Sequence, residues 1–259
     1  VIDPEHGRLA GGDTGAGRLA SPESIVAAVE RLFGPADLFG VSVVVSAGGT
    51  REPIDAVRVI ANRSSGKQGY AIAAEAASRG ADVTLVSTVD LTPPPGVVVE
   101  RVETAAQMES AMERIAPTSD IIVMTAAVAD FRPVNASDHK LKKRDGVPQI
   151  VLEPTPDILA GLGRAKRTDQ VLVGFAAETD DLEANAQHKL VSKRLDLIVA
   201  NDVSAPGAGF RHDTNAVIIF AAGVPPVAVP LSDKRAIAAA VIDRVVAARR
   251  ECSRPDPMP

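Results

Sequence analysis

The residues best suited to chemistry lie in two small-residue turns behind one apolar run. Val43, Val44 and Val45 lead into Ser46-Ala47-Gly48-Gly49-Thr50. Gly48 and Gly49 can take positive φ and let a ligand approach the backbone closely. Farther on, Asn62-Arg63-Ser64-Ser65-Gly66-Lys67-Gln68-Gly69 opens an alanine-rich helix. Small residues and free N–H groups at a helix N-terminus suit a bound phosphate. The alternative is an ordinary strand–helix corner, with Gly66 and Gly69 serving close helix packing. The stretch is not a Walker A loop, because Gln68 follows Lys67 where Ser or Thr is required. Nor is it a dinucleotide fingerprint, because Gly48-Gly49 lacks the third spaced glycine.

Further polar or small residues stand where other apolar runs end: Ala126-Ala127-Val128-Ala129-Asp130, Phe175-Ala176-Ala177-Glu178-Thr179 and Asn201-Asp202. Each has a structural reading of its own. Asp130 suits a turn or N-cap, Phe175 a core, Asn201 a strand-ending turn, and Asn62 a helix cap. Lys140-Leu-Lys-Lys-Arg144 is a charge run, ordinarily a solvated face. Lys189 and Lys193 are spaced four apart, on one helical face. Four histidines and one cysteine, Cys252, give no metal spacing and no disulfide framework.

These residues need a scaffold, and the rest of the chain supplies one. Its 259 residues are 46% hydrophobic but only 3% aromatic, so the core must be aliphatic. A net charge of −5 argues against a general nucleic-acid or membrane surface. No run has the length of a membrane span and no signal peptide is visible, so a reducing, cytoplasmic setting is expected. Residues 1–20 read as loop or disorder. Ser21 with Pro22 starts a helix carrying Ile25, Val26, Val29 and Leu32, which stops near Gly34-Pro35. Strands are expected over 82–87, 97–102, 120–125, 149–152, 171–175 and 195–200. Helices are expected after Gly66, over 105–115, from Thr155-Pro156-Asp157, between 175 and 195, and over 234–250. Residues 215–220 and 227–231 read as a hairpin around Gly223, and 132–148 as a mobile flap. Alternating strands and helices imply an α/β domain with a mostly parallel sheet. In such sheets ligands bind outside the carboxyl ends of the strands, where the polar residues cluster.

Seven stretches in order, SAGGTREPID, NRSSGKQG, AAVADFRP, KLKK, TPDIL, GFAAET and AND, give residues 40–250 a specific resemblance to phosphopantothenoylcysteine synthetase, of the bacterial CTP-using type. The resemblance implies a Rossmann-like three-layer domain, residues 251–259 being a disordered tail. Residues 1–39 resemble the linker and tail of a preceding decarboxylase domain; Gly11 stands where that family has Cys, so no decarboxylase activity is expected. The implied reaction activates the carboxylate of 4'-phosphopantothenate with CTP and Mg²⁺. Pyrophosphate leaves, and cysteine then displaces CMP from the acyl-cytidylate. The resemblance assigns Asn62 to holding that intermediate. It assigns Arg58 to reaching the neighbouring subunit's substrate in a homodimer, and Lys140 to the nucleotide and intermediate on a closing flap. Gly48, Gly49, Ser64, Gly66 and Gly69 match a phosphate cradle, and Asn201 a phosphate contact. Asp130 matches a substrate and nucleotide contact and an indirect partner for Mg²⁺; Ala126 and Ala127 leave room for a ligand. Pro156, Asp157, Ile158, Leu159, Phe175, Lys189 and Lys193 match CTP contacts. No metal ligand is assigned.

Two other functions compete. A nucleotide-cofactor oxidoreductase would need an acidic residue ending the second strand, where Ser87-Thr88 stands and Asp90 comes late. A non-catalytic nucleotide-binding module is the other.

Overall fold

The computed structural model describes residues 2–178, 181–202 and 214–252. In chain order the elements are β1 (Glu5–Arg8), β2 (Thr14–Arg18), α1 (Pro22–Phe33), β3 (Ser42–Ala47), β4 (Arg51–Pro53), β5 (Val59–Ala61), α2 (Lys67–Ser78), β6 (Asp82–Ser87), β7 (Val97–Arg101) and α3 (Ala105–Ile115). Then follow β8 (Ile121–Met124), β9 (Phe131–Pro133), β10 (Leu152–Pro154), α4 (Ile158–Ala165), β11 (Val171–Glu178), α5 (Leu182–Ser192), β12 (Leu197–Asp202), β13 (Thr214–Ala221), β14 (Val224–Asp233) and α6 (Lys234–Cys252).

One sheet organises the molecule, in the order β14-β13-β12-β11-β8-β3-β6-β7. Every pairing from β12 to β7 is parallel, and β13 and β14 add antiparallel strands at one edge. The period-two alternation of β3 divides the core. Val43 and Val45 pack with Ile72 and Ala76 of α2 and Ile237 and Val241 of α6. Val44 faces the other way, with Met108 and Met112 of α3, Ile158 and Leu162 of α4, and Leu190 of α5. Buried on both faces, the central strands are continuous aliphatic runs, as a parallel sheet requires. No described helix is long and apolar enough to cross a membrane.

Several expectations shift in the structure. Residues 1–20 contain a paired ribbon, β1 with β2, turning where Leu9 N–H donates to the Asp13 carbonyl at 2.7 Å. Backbone pairing rather than apolar pattern makes these strands, so periodicity gave no signal. The strand expected over 149–152 lies at Leu152–Pro154, because β9 pairs there in register (Leu152 with Pro133, Pro154 with Phe131). The connection after Thr50 holds the small β4–β5 ribbon. The last helix runs to Cys252, and residues 253–259 lie outside the described residues. Ser21 caps α1 as expected, accepting from Ser24 N–H. Val26, Val29, Leu32 and Phe33 of α1 are exposed.

Candidate active site

The chain runs from β3 out to β6 on one side, then returns to β8 on the other. The loops leaving β3 and β8 therefore start side by side at the carboxyl rim, the place where such sheets open a crevice. Here they are laced together. Ala127 N–H donates to the Gly48 carbonyl at 2.8 Å, and Ala129 N–H to Thr50 Oγ1 at 2.9 Å. Gly49 and Ala127 form a parallel bridge beyond the sheet.

The second small-residue turn is set against the first. Gly66 is the N-cap of α2, in the left-handed region at φ 73°, with no side-chain cap. Asn62 therefore does not cap this helix. Its Nδ2 donates to the Val128 carbonyl at 2.8 Å, tying the 62–66 turn to the loop after β8. One turn into α2, Gly69 brings the helix onto the strand ends. A Cβ there would lie 2.6 Å from Ala47 Cβ and Thr125 Oγ1, and 2.9 Å from the Ser46 carbonyl oxygen. Replacing it with alanine forces the helix off the rim. Gly69→Ala is expected to cost about 1–3 kcal/mol in denaturant unfolding; a loss within experimental scatter would show that the rim yields freely.

A cavity of about 130 Å³ opens between these turns and the ends of β8, β11 and β12. Of the residues expected to bind ligand, Ser64, Gly66, Gly69, Ala126, Ala127, Phe175 and Asn201 line it together. Gln68, Thr125, Asn215 and Lys234 line it too and were not expected. Asn215 and Lys234 begin β13 and α6, far along the chain, with no local motif to mark them. Gln68 lies inside the stretch already singled out, and its Nε2 donates to the Lys234 carbonyl at 3.2 Å, while its buried Oε1 has no partner. Asn201 and Asn215 are each only 8% exposed. Among the described residues Lys234 is the one charged group in the lining. Neutral amides, hydroxyls and a single cation suit an anion with several oxygen acceptors.

The other expected residues stand outside this cavity. Asp157 caps α4 by accepting from Ala160 N–H at 3.0 Å, and pairs with Lys193 Nζ at 2.9 Å. Burial raises the Asp157 carboxyl, but the Lys193 and Ala160 hydrogen bonds outweigh it and hold it below the usual range. Pro156 precedes that cap, Ile158 is buried in the core, and Leu159 packs toward Gly174 of β11. Lys189 lies one turn before Lys193 on α5. The Asp130 side chain is exposed, and its carbonyl accepts from Thr155 N–H at 3.0 Å. Lys140 lies on an exposed arm between β9 and β10. Arg58 is committed to Asp55, with Nε–Oδ2 at 3.0 Å, and its Nη2 donates to the Leu141 carbonyl at 3.0 Å. The Asp55 hydrogen bonds with Arg58 hold that carboxyl well below the usual carboxylate range. Among the described residues no three His, Cys, Asp or Glu side chains gather as a metal site.

The position where a dinucleotide enzyme needs a ribose-binding carboxylate holds buried Ser87 and Thr88. Thr88 Oγ1 donates to the Gly49 carbonyl at 2.8 Å, and Asp90 pairs with Arg101 at 2.9 Å.

Residues 38–248 match the family described as the DNA/pantothenate metabolism flavoprotein C-terminal domain. The chain belongs to that family. It is 51% identical over 224 residues to the coenzyme A biosynthesis bifunctional protein CoaBC of Bacillus subtilis, covering 85% of this chain and 55% of that protein. The corresponding protein of Mycobacterium tuberculosis is 44% identical over 270 residues, covering 98% of this chain and 64% of its own length. The solved C-terminal domain of a CoaBC protein superposes with a TM-score of 0.72 at 37% identity, covering 83% of this chain and 99% of that domain. The chain thus spans a little over half the length of these curated relatives, and its family domain is the C-terminal one.

Proposed function

We propose that this family domain is a phosphopantothenate–cysteine ligase. CTP activates the carboxylate of 4'-phosphopantothenate, pyrophosphate leaves, and the amine of cysteine attacks the acyl-cytidylate to release CMP. The observation that carries this reading is the cavity at the sheet rim, where amides, hydroxyls and one lysine converge on a space with room for a phosphate group. We assign it to the terminal phosphate of the acid, held by Ser64, the α2 N-terminus at Gly66, Asn201, Asn215 and Lys234. The acid then extends along Ala126 and Ala127, whose small side chains leave room, toward Asn62. CTP occupies the ground near Phe175, the Asp157–Lys193 pair and Lys189, with Lys140 closing from the arm.

Chemistry of this kind needs no enzyme nucleophile. Positioning and neutralisation of phosphate charge suffice. A magnesium ion would arrive with the triphosphate, as such ions do, and Asp130 stands exposed at the rim to orient its water shell. Exposed Val57, Val59, Phe131, Val134, Val151 and Leu152 form apolar ground on the two small ribbons and the arm. That ground supports the homodimer in which one subunit completes the other's site. Residues 1–39 are read as the end of a preceding domain.

The test is pyrophosphate release. With CTP and phosphopantothenate the chain should release pyrophosphate, and adding cysteine should yield CMP and the amide. A redox enzyme or a silent binding module would release none, and that outcome would end the proposal. Competition between CTP and ATP in the same assay decides the nucleotide.

A further inference from the structure

Asp55 sits in the turn between β4 and β5, is 3% exposed and is not part of the cavity lining. Its carboxylate accepts five hydrogen bonds. Oδ1 takes the N–H groups of Val57 at 2.9 Å and Arg58 at 2.8 Å. That half is an ordinary Asx turn. Oδ2 does something else. It takes Arg58 Nε at 3.0 Å, Arg58 Nη2 at 2.5 Å, and Leu141 N–H at 3.1 Å, across 86 positions of sequence. Arg58 Nη2 also donates to the Leu141 carbonyl at 3.0 Å. Both peptide groups of Leu141 are thus held by one ion pair. A second tie lies a few residues upstream, where Ser137 N–H donates to the Ile54 carbonyl at 3.1 Å and Ser137 bridges Asp55. The arc from Ser137 to Leu141 is pinned at both ends, and Lys140 is the last side chain inside it. Farther along the arm, Lys142 to Arg144 and Gly146 to Val151 are exposed.

We propose that Asp55 is the positioning residue for Lys140. Through Arg58 and the Lys140–Leu141 peptide it fixes the stretch from which the lysine reaches the nucleotide. Arg58 is the bridge of this latch, so the guanidinium offered to a neighbouring subunit and the placement of Lys140 are coupled through one carboxylate. The nucleotide role of Lys140 rests on the ligase reading; the latch itself does not.

The experiment has an arm for each. Trypsin cleavage after Lys140, Lys142, Lys143 and Arg144 reports the opening of the arm without any need for activity. Asp55→Asn keeps the shape and removes the charge. Leu141→Pro removes the latched N–H and serves if the first variant does not fold; because trypsin does not cut before proline, only cleavage after Lys142, Lys143 and Arg144 is read in it. In each, cleavage should accelerate about tenfold, the loss of one charge-assisted hydrogen bond. Unchanged cleavage overturns the latch. In the ligase assay, Asp55→Asn should raise KM for CTP about tenfold with a smaller change in kcat. That rise should vanish in a Lys140→Gln background, which a merely structural carboxylate would not produce. Additive losses overturn the positioning role. If the wild-type chain releases no pyrophosphate, the ligase reading fails while the cleavage result still judges the latch.

Discussion

Asn62→Ala is expected to separate the two half-reactions: pyrophosphate release should persist within a few-fold while amide formation falls about a hundredfold. The reason is where the structure puts this amide. Asn62 does not cap α2, a position taken by Gly66. Its Nδ2 instead donates to the Val128 carbonyl at 2.8 Å, beside the Ala126-Ala127 floor. An amide tied this lightly, on an exposed residue, can exchange that carbonyl for the oxygens of a bound acyl-cytidylate without titrating. The first step needs the carboxylate and the α-phosphate brought together, which other groups do. The second needs the mixed anhydride retained until the amine arrives. Quenched-flow measurement of pyrophosphate and amide in the same reaction checks this. Equal loss of both steps would reduce Asn62 to a loop tie, and its alanine variant should then show the same deficit in thermal stability as in rate.

Lys234→Gln carries the second large effect. Removing the one charged group of the cavity lining among the described residues should raise KM for phosphopantothenate about 10- to 100-fold, the worth of a charge-assisted hydrogen bond to a phosphate. The Lys234 carbonyl accepts from Gln68 Nε2, and the substitution leaves that contact in place. Pantothenate lacking the phosphate provides the control, since its poor use should not change in the variant. A rise in KM for CTP with no change for the acid would transfer the cavity to the triphosphate and overturn the assignment made here.

Much of this was legible in residue order. Valine triplets and isoleucine pairs spaced by alanine-rich segments can bury themselves only as a parallel sheet between helices. The polar residues that break those runs must then fall at the strands' carboxyl ends. Ala126, Ala127, Phe175 and Asn201 meet in one cavity for that reason, and Ser64, Gly66 and Gly69 join them from the N-terminus of α2. The start of α3 follows from local chemistry, the Thr104–Gln107 capping box.

What local chemistry left open was decided by packing across long separations. Gly69 looked like part of a ligand cradle or a packing site, and the strand ends at Ala47 and Thr125 show that it is at least the second. Asn215 and Lys234 reach the cavity only because β13 runs antiparallel beside β12 and hands the chain, through β14, to α6 at the same rim. No periodicity encodes that return. Nothing local marked the partners of Arg58, which a buried carboxylate three positions earlier and a backbone carbonyl 83 positions later hold. Apolar periodicity and small-residue breaks in the chain determined the sheet and the rim on which a ligand must sit. Only the folded backbone decided which amides and cations face one another there, because a hydrogen bond depends on distance in space and not on separation along the chain.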